Sequence, residues 1–229
     1  MTADSKRQPD AKGGAVHEMV EIVKTVFYAL LIAFVLRVVL FQPFTIPSAS
    51  EEPNLYQGDY IIASKYSYGW SKHSIPLSPP LFSGRILFHK PTRGDIIIFK
   101  LPRDGKTDYI KRLIGLPGDR VQVRGGVVYV NDQPFPRERL ADGVGELNGD
   151  MTQPVQRYLE TNAEGRKYVI QQAPEGSVAD NTGIYVVPPH CYFFMGDNRD
   201  NSADSRFDPG LTFDTPPPTC PWDSSLGVG

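Results

Sequence analysis

The chain has 229 residues, of which 40% are hydrophobic and 22% charged, so it has a globular composition and can bury a core. Its 24 basic and 26 acidic residues nearly balance, and the sequence contains no zinc-finger, RRM or helix-turn-helix pattern, which argues against nucleic acid as a partner. The 21 glycines and 21 prolines favour short strands joined by tight loops over a helical bundle. We therefore predict a mostly β fold.

The first predicted element is a membrane anchor over residues 19–41. Met19 to Phe41 are mostly apolar, and at about 1.5 Å of rise per residue they reach roughly 34 Å, enough to cross a bilayer. Basic residues precede the apolar core of this segment, and none lies between Val38 and Ile62, so the positive-inside rule places the N-terminus in the cytoplasm. We predict a polar cytoplasmic tail over residues 1–18, disordered from Met1 to Gly14, and an extracytoplasmic β-rich domain over residues 42–207.

Two alternatives to an anchor remain open at this point. Ser48-Ala49-Ser50 offers small residues at alternate positions after an apolar run, as a cleaved signal peptide does. Against this alternative, the leader is long and polar, Arg37 interrupts the apolar run and two prolines follow it. A buried amphipathic core helix is the second alternative, but the apolar residues surround the helix instead of forming one stripe.

Beyond the anchor, β-branched runs bounded by turn residues predict antiparallel strands. The clearest is a hairpin over Arg120 to Asn131, where Gly125-Gly126 can supply the positive φ of a tight turn between two alternating segments. A second hairpin is predicted from Arg157 to Glu160 and Lys167 to Gln171. Further strands are predicted at Tyr60 to Ile62 and Asp95 to Phe99, and only loops at Gly69 to Phe88 and Arg137 to Gln153.

The two cysteines and the C-terminal segment give weaker information. Cys191 and Cys220 fit no metal-binding spacing, and they could form a disulfide in an oxidising compartment. Residues 208–229 are rich in proline and glycine, which predicts a divergent tail that leaves a sheet edge exposed.

Chemically informative residues fall in three segments, the first of which follows the anchor. In Ile46-Pro-Ser48-Ala-Ser50-Glu-Glu-Pro53, two serines stand two residues apart, so in an extended chain their side chains face the same way. Taken alone, the segment is more typical of an ordinary Ser/Pro turn beside the membrane.

The second segment places Lys111 beside Arg112 in an apolar, strand-like stretch. Neighbouring residues of a strand point to opposite faces, so one of the two cations is expected to face the interior. A buried lysine is costly unless its pKa falls and the amine becomes neutral, and a neutral amine is a competent general base near neutral pH. The alternative is that both side chains extend to solvent.

The third segment, Tyr192 to Arg206, is an apolar strand that runs into a dense polar turn. Its aspartates suggest calcium, but counting from Asp200, Ser205 stands where an EF-hand needs Gly and Leu211 where it needs Glu, so we predict no metal. Ion pairs that rigidify the loop are the purely structural interpretation. A histidine-based triad is disfavoured, because no histidine lies in a segment with a recognisable serine partner.

At these three segments the sequence resembles the bacterial type I signal peptidases, membrane-bound enzymes that remove signal peptides from exported proteins. The resemblance runs from about Phe41 to Phe207, and its most specific motifs are Gly-Asp-Asn-Arg-Asp-Asn-Ser-x-Asp-Ser-Arg and Tyr-Ile-Lys-Arg followed by Gly-x-Pro-Gly-Asp. It implies an antiparallel β-sheet catalytic domain of the signal-peptidase type behind a single transmembrane helix, in the bacterial inner membrane with the catalytic domain on the periplasmic side. Exported preproteins and the lipid bilayer are the implied partners, with no metal and no organic cofactor.

The resemblance also implies roles for individual residues. Ser50 is the expected nucleophile and Lys111 the expected general base of an acyl-enzyme mechanism. Ser48 is expected to stabilise the oxyanion together with the Ser50 backbone N–H, and Ser202 to orient the lysine amine. Supporting roles in the polar loop are expected for Asp197, Arg199, Asp204 and Arg206. Family members prefer small residues at the first and third positions before the cut, and the shallow apolar pockets for them would be formed by Phe44, Ile46, Leu55, Tyr109 and Ile110.

One position beside the nucleophile departs from the family pattern. The family usually has Ser-Met-x-Pro-Thr, whereas this chain has Ser50-Glu51-Glu52-Pro53-Asn54. The Glu51 carboxylate must be solvated, neutralised or paired, and a charged one near Lys111 would raise the lysine pKa, the wrong direction for a base. The alternative function is therefore an impaired paralogue that only binds signal-peptide-like segments. A Ser/Lys autoprotease ranks last, because such an enzyme has no need of an anchor and this chain has no DNA-binding helices.

Overall fold

The computed structural model describes residues 11–75, 78–82, 84–101, 106–147 and 151–207. Within these ranges one long helix, α1 (Ala11–Val39), precedes a series of short strands whose pairings are all antiparallel. The strands are β1 (Phe41–Thr45), β2 (Tyr60–Ser64), β3 (Ile96–Lys100), β4 (Asp108–Gly115), β5 (Arg120–Arg124), β6 (Val127–Val130), β7 (Gln133–Pro134), β8 (Arg137–Arg139), β9 (Gly143–Leu147), β10 (Met151–Thr161), β11 (Lys167–Gln172), β12 (Tyr185–Val186) and β13 (Phe193–Met195). The predicted fold class, mostly β behind one N-terminal helix, is confirmed.

Helix α1 is long and apolar enough to cross a membrane over Val16–Val39, with a mean hydropathy of 2.2. None of that apolar stretch is buried against the rest of the protein, so the interpretation as a buried core helix is wrong. The helix begins at Ala11, which corrects the prediction of disorder as far as Gly14, because an established helix extends at little cost. Residues 1–10 lie outside the described ranges. At its other end the helix stops before the predicted residue 41, since Phe41 opens β1.

Both predicted hairpins are confirmed. Strands β5 and β6 pair in antiparallel register, and Gly125 and Gly126 turn between them with φ of 54° and 73°, in the region that favours glycine. Strands β10 and β11 form the second hairpin, and β10 begins at Met151, before the predicted Arg157. The strands predicted at Tyr60 and Asp95 are present as β2 and β3.

The prediction of only loop between Arg137 and Gln153 is wrong. Strands β8 and β9 both pair with β10, so this stretch forms part of a four-stranded sheet with β11. Two glycines of β9 lie against side chains of the neighbouring strands, Gly143 against Arg157 and Gly145 against Gln171. The stretch becomes strand because the long β10 supplies its hydrogen-bond partners, although the local composition is poor in β-formers.

Strand β4 lies at the centre of a three-stranded sheet, between β13 and β3. Two clusters of buried side chains cover its faces. The larger comprises Ile114, Val121, Val123, Val128, Val130, Phe135, Val187, Cys191, Phe193 and Met195, and the smaller comprises Ile97, Leu113 and Phe194. Because Leu113 and Ile114 alternate across β4, the two clusters cover opposite faces of the sheet, and β4 is buried from Ile110 to Gly115.

The described residues test neither the predicted cysteine pairing nor the predicted C-terminal tail. Cys191 is buried in the larger cluster and is not a free thiol. Cys220 and the predicted tail over residues 208–229 lie outside the described ranges, so both predictions stand as made.

Candidate active site

Ser50 sits in a one-turn 3₁₀ helix, Ala49–Glu51, which follows β1 and is held by the polar loop after β13. The backbone N–H of Asn198 donates to the Ser50 carbonyl oxygen over 3.1 Å, and its side-chain amide donates to the Ala49 carbonyl oxygen over 3.2 Å. A Cβ atom at Gly196 would clash with the same Ser50 carbonyl oxygen, so only glycine allows the loop to approach this closely. The turn that carries Ser50 is therefore held in place by the loop after β13, which is distant in sequence.

Lys111 projects from β4 to the serine. Its Nζ atom lies 2.5 Å from Ser50 Oγ and donates to the Ile110 carbonyl oxygen over 2.9 Å. Both side chains are buried, with only 5% of each residue exposed. The two predicted chemical partners, separated by 61 positions in sequence, therefore form one hydrogen-bonded pair shielded from solvent.

Burial decides the protonation state of Lys111. Desolvation lowers the pKa of the amine, because removal from water disfavours its charged form. Three carboxyl groups oppose this, Glu51 most strongly and then Asp204 and Asp197, but the pKa remains lowered overall. The direction is the one that a lysine general base requires.

Glu51 is completely buried beside Lys111. Neither of its carboxyl oxygens has a hydrogen-bond partner in the described part of the chain. Burial, assisted by the negative charge of Asp197, raises its pKa well above 4.5, against the attraction of Lys111 and Arg112. Burial without a hydrogen-bond partner in the described residues therefore favours the neutral form of this carboxyl over the charged one.

Both members of the Lys111-Arg112 pair are buried, so the alternative that both extend to solvent is wrong, and burial goes beyond the one cation expected to face the interior. They point to opposite faces of β4, and both faces are covered. Arg112 forms a two-point ion pair with Asp197, with both N–O distances at 2.6 Å, and also donates to the Gly94 carbonyl oxygen. The guanidinium stacks on the Tyr168 ring at 4.0 Å, so every part of this buried cation is compensated.

Two further buried ion pairs organise the loop that supports the serine turn. Arg206 donates to both carboxyl oxygens of Asp204, over 2.9 and 2.8 Å, and Asp204 in turn accepts from the Gly196 backbone N–H. Arg199 donates to both oxygens of Glu160 on β10, over 3.1 and 2.5 Å. The four predicted supporting residues of this loop therefore lie in buried contacts that hold it in one shape.

The two other predicted serines are placed differently. Ser48 is exposed, and its Oγ lies 3.4 Å from Ser50 Oγ, on the open side of the pair. Ser202 is buried against Gly196, but its Oγ has no hydrogen-bond partner among the residues described. The predicted bond from Ser202 to the lysine amine is therefore not formed here, and its orienting role stays a prediction.

The predicted pocket residues come from three parts of the chain. Tyr109 and Ile110 precede Lys111 on β4, with the Tyr109 ring centroid 5.5 Å from Nζ. Leu55 follows the serine turn, and its backbone N–H donates to the Glu51 carbonyl oxygen. On the β1 side, Ile46 is buried, whereas Phe44 is partly buried and lines a cavity of about 240 Å³. Their contact with a substrate stays a prediction.

Sequence analysis missed several polar contacts around the site. Asn198 lies in the polar motif that follows β13. This motif is the sequence feature from which its hydrogen bond to the serine turn could have been predicted. Asn54 donates to Asp197 over 2.7 Å, and Glu52 accepts from the Gln171 side chain over 3.1 Å. No local pattern indicates these contacts, because the partners are more than one hundred positions apart.

Comparison with known proteins gives a family match, several relatives and a solved structure. The family model described as "Signal peptidase, peptidase S26" matches residues 19–215. Signal peptidase I of Rickettsia typhi (strain ATCC VR-144 / Wilmington) is 40% identical over 192 residues, which cover 80% of this chain and 71% of that protein. Signal peptidase I of Rickettsia akari (strain Hartford) is 40% identical over 197 residues with the same two coverages. A signal peptidase I crystal structure from Enterococcus faecalis V583 is 29% identical, covers 52% of this chain and 86% of that chain, and superposes with a TM-score of 0.27.

Proposed function

The chain belongs to the signal peptidase family, peptidase S26, and from this premise we propose that Ser50 and Lys111 form its catalytic dyad. The protein is then a membrane-anchored serine endopeptidase that removes N-terminal signal peptides from exported preproteins. The observation that carries the proposal is the buried contact of 2.5 Å between Lys111 Nζ and Ser50 Oγ, at a lysine whose pKa is lowered.

In the first half of the reaction, Ser50 Oγ attacks the carbonyl carbon of the scissile peptide bond while its proton passes to Lys111 Nζ. The negative charge that develops on the carbonyl oxygen is stabilised by the Ser50 backbone N–H and the Ser48 hydroxyl, which lies 3.4 Å from the nucleophilic oxygen. The intermediate collapses when the peptide C–N bond breaks and the lysine ammonium gives its proton to the leaving amine. The signal peptide remains bound to Ser50 as an ester.

In the second half, a water molecule attacks the ester carbonyl carbon and gives its proton to the neutral Lys111 amine. The bond to Ser50 Oγ breaks, the lysine returns the proton to that oxygen, and the signal peptide leaves with a free carboxyl group. The cycle needs an amine that is neutral when each attack begins, which burial of Lys111 supports. It requires no group beyond those of the chain and water.

The burial of Glu51, which favours its neutral form, supports catalysis over the alternative of an impaired paralogue. A charged carboxylate beside the dyad would favour the ammonium form of Lys111, which is the reason for proposing impairment. Complete burial of both Glu51 oxygens instead favours the protonated carboxyl, which is uncharged like the methionine usual at this position. We therefore rank the active enzyme first and the binding-only paralogue second.

The same proposal includes the position of the chain in the cell. Helix α1 anchors the protein once in the inner membrane, with the polar residues before it in the cytoplasm and the β-rich domain on the periplasmic side. This arrangement brings the dyad to the side of the membrane where the end of an exported signal peptide emerges.

The test is cleavage of a preprotein with an Ala-x-Ala site by the full chain in detergent. Ser50→Ala and Lys111→Met are expected to abolish cleavage while circular dichroism remains unchanged. Lys167→Met removes an exposed lysine as the matched control and should leave the rate unchanged. Full activity in either dyad variant would refute the proposed roles, and binding of the preprotein by a wild-type chain that never cuts it would favour the paralogue.

A further inference from the structure

A cavity of about 240 Å³ lies beside the outer end of α1 and carries an excess of positive charge. The residues that line it include four cations and one carboxyl group, namely Arg37, Lys65, Arg85, Lys100 and Asp108. Arg37 stands in the last turn of the helix, and Lys65 directly follows β2. The cavity therefore joins the end of the proposed anchor to the first hairpin of the β-rich domain.

Two of these positive charges are not balanced by an acidic group. Asp108 is occupied by Lys100, at 2.8 Å. Arg37 and Lys65 make no ion pair within the residues that the structure describes, and the Lys65 amine donates only to the Ser74 carbonyl oxygen. Burial and then the nearby charge of Arg37 lower the pKa of Lys65. An anion bound between or beside Arg37 and Lys65 would offset this mutual repulsion.

An apolar cavity of about 310 Å³ adjoins the basic one, and Ser71, Ser74 and Ile75 line both. Its other lining residues are Val38 and Val39 at the end of α1 with Trp70, Phe82 and Ile86. The Trp70 indole N–H donates to the Val39 carbonyl oxygen over 2.6 Å. Tryptophan with one polar and one apolar side is typical of the headgroup level of a membrane, so the two cavities lie where headgroups give way to acyl chains.

We propose that these adjoining cavities bind one anionic phospholipid, with its phosphate between Arg37 and Lys65 and the start of an acyl chain against Trp70 and Ile86. The inference rests on the anchoring of α1 in the membrane, which is part of the proposed function. A lipid matches both halves of the site, because it combines a fixed negative charge with an apolar chain. A carboxylate of a substrate peptide would use only the basic cavity.

The experiment follows quenching of Trp70 fluorescence by spin-labelled lipids. The chain carries Trp222→Phe, so that Trp70 is its single tryptophan, and Ser50→Ala, so that the measurement does not depend on cleavage. It is reconstituted in phosphatidylcholine vesicles to which a small fraction of spin-labelled lipid is added. The labelled lipid is phosphatidylglycerol in one series and phosphatidylcholine in the other, with the label on the same position of the acyl chain. We expect labelled phosphatidylglycerol to quench Trp70 at a several-fold lower content than labelled phosphatidylcholine.

Arg37→Gln and Lys65→Gln are each expected to reduce this preference by about fivefold. The matched control Lys167→Gln removes an exposed lysine outside the cavity and should leave it unchanged. Circular dichroism verifies that each variant is folded.

Three results would overturn the lipid site. Equal quenching by the two labelled lipids in the parent chain would remove the preference itself. If Lys167→Gln reduced the preference for phosphatidylglycerol as much as the cavity variants do, the preference would come from a diffuse attraction of anionic lipid to the protein surface instead of a site. Loss of the preference when an uncleaved preprotein is added would assign the cavity to the substrate. Absence of cleavage by the unsubstituted chain would overturn the proposed enzyme and leave this measurement unaffected.

Discussion

Replacing Glu51 with glutamine isolates the charge of the side chain next to the nucleophile. Glutamine has nearly the shape of a protonated glutamate but cannot ionise. Because Glu51 is completely buried, has no hydrogen-bond partner in the described residues and has a raised pKa, we expect its carboxyl to be neutral in the working enzyme. Glu51→Gln should then cleave a preprotein at close to the wild-type rate at neutral pH.

A charged Glu51 predicts a very different result. At the effective dielectric of a protein, a carboxylate several ångströms from an amine stabilises the ammonium form by about 3 kcal/mol, which would raise the pKa of Lys111 by about two units. Removing that charge would increase the neutral fraction of Lys111, and the cleavage rate with it, about 100-fold at neutral pH. A gain of that size in Glu51→Gln would refute the neutral carboxyl.

The pH dependence of the free energy of unfolding tests the protonation of Glu51 independently of activity. In a Lys111→Met background no lysine shares the proton, so Glu51 alone binds it. A carboxyl whose folded pKa is raised contributes its full stability below the ordinary value of 4.5 and loses it as the pH rises towards the folded value. The free energy of unfolding should therefore fall by about 1.4 kcal/mol per pH unit above that value, and adding Glu51→Gln should abolish this slope.

The assay is urea denaturation in detergent at a series of pH values above 4.5, the ordinary pKa of the carboxyl, where the unfolded chain is ionised and the folded chain is expected to keep its proton. Glu175→Gln in the same background removes an exposed carboxyl and serves as the control. Identical slopes with and without the Glu51→Gln substitution would mean that Glu51 binds no proton on folding and stays ionised in the folded chain, which would refute the neutral carboxyl.

The ion pair between Arg112 and Asp197, and Gly196, which lies against the Ser50 carbonyl oxygen, give two further predictions. Asp197→Asn leaves the Arg112 guanidinium buried without its carboxylate, so the free energy of unfolding measured by urea denaturation should fall by about 3–5 kcal/mol. The double variant Arg112→Met with Asp197→Leu should recover most of this loss. An unchanged free energy of unfolding in Asp197→Asn would contradict the contact. Gly196→Ala places a methyl group against the Ser50 carbonyl oxygen, so displacement of the nucleophile should lower kcat about 100-fold. Gly183→Ala, whose added Cβ meets no atom within 4 Å, is the matched control, and equal rates in the two variants would contradict that reasoning.

The sequence alone was informative wherever the signal is local. Alternation around Gly125-Gly126 predicted the β5–β6 hairpin, and a long, mostly apolar stretch predicted the helix, because both patterns depend on neighbours in the chain. The residues of the catalytic proposal were also identified at this level, since each of the three segments carries its own motif. Spacing along the chain gave no measure of how close Ser50 lies to Lys111.

Only the tertiary structure decided which charges are buried and what compensates them. Arg199 pairs with Glu160 across 39 positions, and Arg112 with Asp197 across 85, distances over which no local pattern operates. The strands between Arg137 and Leu147 depend on β10 for their hydrogen bonds, so composition missed them. At Glu51 the sequence leaves a solvated, a paired and a neutralised carboxyl open. The fold removes the side chain from water and favours the neutral form, because protonation depends on surroundings that only the folded chain creates.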